Sequence, residues 1–180
     1  MRLVDGAQLR LDHESRLTLQ CRRRFRFEAG AFYFDSDPSS AVERGAGASS
    51  TKMARNEIRV DTPFASLRNL GTRYQARLFD DRLEVAVHLG RVEVFVDGSR
   101  RWTVERGERL SVDAEGQPTW DVAPPFGDLW QWTLELSPPF ATEGRSLDEF
   151  LAWVERESGL EIRFLTDRRV GGIRLAGDLA

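Results

Sequence analysis

The chain has 180 residues, 26 basic and 29 acidic side chains, a net charge of −3 and 41% apolar residues, enough for one medium domain or two small ones. That balance excludes a chain built as a whole around nucleic acid or an anionic surface. A single cysteine, Cys21, excludes an internal disulfide, and no run is long enough to span a membrane as a helix.

Taken in chain order, residues 1–122 read as almost wholly β. Short alternating runs are Leu9–Leu11, Arg16–Glu28 and Ala31–Asp35, then Glu57–Thr62, Ala65–Leu70, Arg73–Phe79 and Arg82–Leu89, and finally Arg91–Val96 and Arg101–Glu105. In the run from Arg16 to Glu28, read as one strand, Leu17, Leu19, Cys21, Phe25 and Phe27 share a face, with Arg23 the exception. Arg22, Arg24 and Arg26 then line the wet face. Asp5-Gly6, Asp80-Asp81, Asp97-Gly98 and Glu115-Gly116 are turn signals between runs.

Gly30, Gly71, Gly90 and Gly107 each interrupt a strand-like pattern that resumes beyond them, as in "FRFEAGAFYF" and "VAVHLGRVEVFVDG". A glycine can take positive φ, so the chain can turn a corner there without losing its alternation. Repeated corners predict a twisted, β-solenoid-like wrap, with an antiparallel sandwich containing hairpin bulges as the competing arrangement. The polar, period-free stretch at about 36–56 is expected to be a mobile surface loop.

Beyond Val122 the character changes, and residues 129–180 read as a small α+β unit of order β-α-β-β. "LWQWTLEL" alternates Trp130, Trp132, Leu134 and Leu136 and is expected to be a strand. "RSLDEFLAWVERESGL" predicts the one helix: Ser146 and Glu149 form a capping box, Leu147, Phe150, Leu151 and Val154 form a buried stripe, and Gly159 ends it. Leu160–Phe164 and Gly172–Gly177 are the remaining expected strands. Their free backbone edge suits strand addition by a partner, with Arg163, Ile173 and Arg174 at its border.

No catalytic constellation is present. His13 and His88 are far apart with one cysteine between them, so no zinc spacing exists, and no glycine-rich loop opens a helix. Neither cofactor nor metal is expected. The five tryptophans could stack sugars, which makes a glycan-binding module of the cell envelope the alternative function. Core burial suits Trp130 and Trp132 better.

"LVDGAQLRLDHESRL", "FRFEAGAFYFD", "DTPFASLRNLGTRYQAR" followed by "VAVHLGRVEV", and "VERGERL" occur in the order found in the FecR family of bacterial signalling proteins, which the chain resembles from Leu3 to Val112. The tail resembles part of the secretin and TonB N-terminus short domain. The resemblance implies a non-enzymatic sensor or anti-sigma regulator in the periplasm, the soluble part of a single-pass inner-membrane protein. Its implied partner is the signalling domain of an outer-membrane TonB-dependent receptor. A sigma factor would be reached only through a cytoplasmic segment absent from this sequence. A second copy of the chain is a further candidate partner, and nucleic acid is not.

Overall fold

The structure, a computed structural model, describes residues 3, 7–36, 57–69, 71–163 and 172–177. The segment expected to be a loop, about 36–56, therefore lies outside the described residues from 37 onward. Two compact units divide the chain, Met1–Ala123 and Pro124–Ala180.

Among the described residues, the first unit holds twelve strands. They are β1 (Gln8–Leu11), β2 (Arg16–Cys21), β3 (Arg24–Ala29), β4 (Ala31–Asp35), β5 (Ile58–Asp61) and β6 (Ser66–Asn69), followed by β7 (Arg73–Leu78), β8 (Arg82–Leu89), β9 (Arg91–Val96), β10 (Arg100–Glu105), β11 (Glu108–Asp113) and β12 (Pro118–Val122). One six-stranded sheet has the order β1-β4-β7-β8-β11-β12, the other β2-β3-β5-β6-β9-β10. Strand numbers rise steadily across both sheets, so the chain advances as a wrap. The mainly β expectation holds, and the wrap is laid down largely in hairpins. Neighbouring strands are antiparallel except for β3 and β5.

Each of the four strand-interrupting glycines lies where the chain passes between sheets. Gly30 joins β3 to β4, Gly71 joins β6 to β7, Gly90 joins β8 to β9 and Gly107 joins β10 to β11, with φ of 83°, 80°, 78° and 83°. At Gly90 space is short as well, because an added Cβ would fall 2.7 Å from both the Gly71 carbonyl oxygen and the Thr72 methyl. Between the sheets the alternating side chains form one core. Phe25, Phe27, Val60, Leu67 and Val94 come from one sheet, and Phe32, Tyr74, Val85, Leu110 and Val112 from the other. Phe27 meets Phe32 edge-on across it, centroids 4.8 Å apart.

The run from Arg16 to Glu28 is a hairpin and not one strand. Its turn, Arg22-Arg23, contains none of the usual turn formers, so nothing in the alternation marks a break there. The shared face survives through pairing, Leu17 opposite Phe27 and Leu19 opposite Phe25. Because β2 is an edge strand, Leu19 stays 60% exposed. The expected runs also stop short of β11, beyond the Gly107 corner, and of β12, which begins at a proline.

Three edge strands carry features that blunt further pairing. The β2–β3 ladder shifts register twice. Pro118 gives β12 no first N–H, and the Val122 N–H donates to Asp121 at 2.7 Å. On β10 the Glu105 N–H donates to Glu108 Oε2 at 2.8 Å.

In the second unit, Asp128–Glu135 is a helix, α1, and not the expected strand. Eight residues of W-x-W-x-L fit either period, and burial decides for the helical one: Trp130 and Thr133, three apart, are buried, whereas Trp132 is only half-buried. Proline pairs at 124–125 and 138–139 bound it. Helix α2 (Leu147–Ser158) has both halves of the Ser146–Glu149 capping box, and Gly159 terminates it at φ 71°. Its stripe of Leu147, Phe150, Leu151 and Val154 is half-buried, and its one buried residue is Glu157.

The two further strands are absent among the described residues. Leu160–Arg163 forms no strand, Phe164 lies outside the described residues, and Gly172–Gly177 contributes an isolated bridge between Arg174 and Ser146. Leu147 N–H donates to Ile173 and Leu175 N–H to Arg145, at 2.9 and 2.8 Å, so this segment spends backbone groups on the start of α2. The β-α-β-β order with one helix is thus corrected to two helices and a bridge.

Candidate interaction surface

The outer face of the sheet β2-β3-β5-β6-β9-β10 carries charged residues in cross-strand rows. Arg24, Arg59, Arg68 and Glu93 lie opposite one another in succession, and Arg26, Asp61, Ser66, Phe95 and Arg101 form the next row. Arginines directly opposite one another repel, and the face compensates with interleaved carboxylates. Asp61 accepts from Arg24 at 2.5 Å, Arg59 at 3.0 Å and Ser66 at 2.7 Å. Arg68 reaches Glu57 at 2.7 Å and Glu93 at 3.4 Å.

Partial burial would raise the Asp61 carboxyl, but hydrogen bonds from Ser66, Arg24 and Arg59 outweigh it and hold the group below its ordinary value. The hydrogen bond that Arg68 donates to Glu57 likewise raises the Arg68 guanidinium, against a smaller opposing effect of burial.

The hairpin "DTPFAS" shapes this face. The Thr62 hydroxyl accepts from the Phe64 and Ala65 N–H groups at 3.3 and 3.0 Å, and lies 2.8 Å from the Ala65 carbonyl, to which it can donate. With Phe64 and Phe95 it borders a groove of about 530 Å³, whose lining also includes Arg59, Ser66 and Arg68. Guanidinium groups, a hydroxyl and two aromatic rings suit recognition of a polypeptide. No group of three His, Cys, Asp or Glu able to hold a metal ion occurs among the described residues.

The corner at Gly71 is tied from both sides. The Thr72 hydroxyl donates to Asn69, the Thr72 N–H to Ser36 Oγ at 3.0 Å, and Asn69 Nδ2 to the same oxygen at 2.9 Å. Ser36 lies far away in sequence, and nothing in the alternation pattern points to it.

The structure does not gather Arg163, Ile173 and Arg174 into one described site. Arg163 pairs with Glu161 at 2.8 Å, Ile173 is 50% exposed, and Arg174 donates to the Gly144 carbonyl at 2.9 Å. The histidines are placed apart, His13 against Asp12 at 2.7 Å and His88 near the Tyr33 hydroxyl at 3.4 Å. Trp130 is buried and donates to the Pro124 carbonyl, Trp102 packs against the core, and Trp153 lies within a cluster with Phe140 and Phe150. Trp120 is exposed on β12.

The family model described as "FecR protein" matches residues 1–93. No curated protein matches. Two crystal structures from Parabacteroides distasonis, each described as a "putative anti-sigma factor", share the fold at a TM-score of 0.51. One is 19% identical over 89% of this chain and 70% of its own, the other 18% identical over 99% and 79%. The matched region runs from β1 into β9 and contains the Thr62 hairpin, the groove lining other than Phe95, Asp97 and Gly98, and three of the four sheet-crossing glycines, and the chain belongs to the FecR family.

Proposed function

We propose that this chain is the sensor part of an anti-sigma regulator, acting in the periplasm through protein contact and without catalysis. The family match over residues 1–93 carries the reading. In this proposal the signalling domain of a TonB-dependent receptor binds the β-unit at the groove bordered by Phe64 and Phe95. A membrane helix and a cytoplasmic segment, as the family implies, then carry the signal to a sigma factor. The blunted edges of β2, β10 and β12 favour a sheet face over strand addition as the recognition surface. The capped helix α2 is what supports a likeness of the second unit to the secretin and TonB short domain.

The test is transcriptional. Deleting the gene should change transcription of a set of promoters that share one sigma factor, and restoring the protein should reverse the change. Unchanged transcription in the deletion strain would remove the regulatory reading.

A further inference from the structure

The polar chemistry of the groove beside the Thr62 hairpin narrows what can enter it. Each charged side chain on its lining already faces an opposite charge. Arg59 lies 3.0 Å from Asp61, Arg68 lies 2.7 Å from Glu57 and 3.4 Å from Glu93, and Asp97 is paired with Arg100. The hydroxyls are committed as well. Ser66 Oγ donates to Asp61 at 2.7 Å and accepts from Arg59 at 3.2 Å, while the Thr62 hydroxyl serves its own turn. The Arg68 Nε–H has no partner among the described residues, but it is buried and out of reach of an occupant.

A carboxylate entering here would have to take Arg59 or Arg68 from an acid already present. A cation would have to take Glu57 or Asp97 from an arginine. Either exchange leaves a charge stranded beside the one that replaced it, so a charged occupant gains little.

What the groove offers freely is aromatic surface. Phe64 and Phe95 are both half-buried, so part of each side chain stays open to solvent. In the cross-strand row Asp61–Ser66–Phe95 the middle side chain is small and its hydroxyl is bonded to Asp61, which leaves a depression beside the Phe95 ring. The groove volume of about 530 Å³ lies in the range that accepts a small ligand. The Arg59 and Arg68 side chains, 52% and 40% exposed, border the same groove. A guanidinium can lie over an incoming ring while keeping its carboxylate, an attraction that an aliphatic side chain does not receive.

We infer that the groove is an acceptor for one aromatic side chain of the partner, which stacks on Phe95 above Ser66 inside a rim of ion pairs already satisfied. The inference rests on the receptor reading for the identity of the partner, and goes beyond it in naming the residue class recognised.

The experiment has two arms on the full chain. In the first, the receptor signalling domain is titrated at about 50 and about 500 mM salt, and the Kd should change by less than about threefold because no charge pair forms on binding. Phe95→Ala should weaken binding by at least about 10-fold, whereas Arg68→Gln should weaken it by less than about threefold. Ser66→Trp, which fills the depression, should weaken binding more than Phe95→Ala, and Ser66→Ala, which keeps the space, should bind like the parent. Melting temperatures check that each variant is folded.

The second arm uses no receptor. The blocked peptides acetyl-Ala-Trp-Ala-amide and its Leu, Glu and Lys counterparts are titrated into the isotope-labelled chain. The tryptophan peptide should give the largest shifts at the Phe64, Ser66 and Phe95 amides. The two readings therefore fail separately. Absence of a receptor complex would remove the partner proposed above and leave the peptide arm to decide the residue class. A salt-sensitive complex, a complex indifferent to Phe95→Ala, or peptide shifts that are absent or no larger for tryptophan would overturn the aromatic acceptor.

Discussion

Thr72, fully buried, donates its hydroxyl hydrogen to the side-chain carbonyl of Asn69, closing the Gly71 corner from within. Asn69 is only 1% exposed, so loss of that donor leaves a buried acceptor less well satisfied. Thr72→Val, which keeps the shape, should destabilise the β-unit by about 1–3 kcal/mol in urea unfolding, and Thr72→Ser should recover most of the loss. Equal stability of the two variants would show that the hydroxyl does not matter.

The corners should differ in their tolerance. At Gly71 an added Cβ meets nothing within 4 Å, so Gly71→Ala should cost only backbone strain, roughly 1 kcal/mol. Gly90→Ala adds the clash with Gly71 and Thr72 and should cost clearly more. Unfolding midpoints of the two variants give the order directly, and the reverse order would contradict the packing described at Gly90.

Asp61 makes a pH-dependent contribution of definite sign. Its folded-state value lies below the ordinary 3.8. The stabilisation is therefore fully present above that value and is lost as pH falls from 3.8 through the depressed value. Asp61→Asn should be less stable than the parent at neutral pH, and the gap should close in that acid window. A gap constant from pH 7 down through the window would mean that the carboxylate is not the group responsible.

Tyr74 is wholly buried between the sheets, 5.6 Å from the Phe32 ring, and burial pushes its phenol well above the usual range. Its hydroxyl has no hydrogen-bond partner among the described residues. Tyr74→Phe should therefore cost nothing or stabilise by about 1 kcal/mol, whereas Tyr74→Ala should cost about 3–5 kcal/mol. A loss above about 1 kcal/mol for the phenylalanine variant, measured by thermal melting, would reveal a partner for the hydroxyl.

What could be read from the sequence follows from what is local. Alternation placed most strands within a residue or two, because a half-buried strand writes its period in every second side chain. The sheet crossings were visible as glycines interrupting that period, and the cap of α2 as the spacing of Ser146 and Glu149. Helix α1 was misread because eight residues cannot separate the two periods. The hairpin at Arg22-Arg23 was missed because its turn uses no turn-forming residue. The tie from Ser36 to Asn69 and Thr72 exists only once the chain has folded.

The most direct measurement is titration of this chain with the purified signalling domain of a TonB-dependent receptor from the same bacterium, combined with amide hydrogen exchange. Saturable binding with added protection across Arg59–Arg68 and at Phe95 is the expected result. Absence of binding, or binding that leaves those strands unprotected, would contradict the proposal that the outer face of this sheet receives the signal.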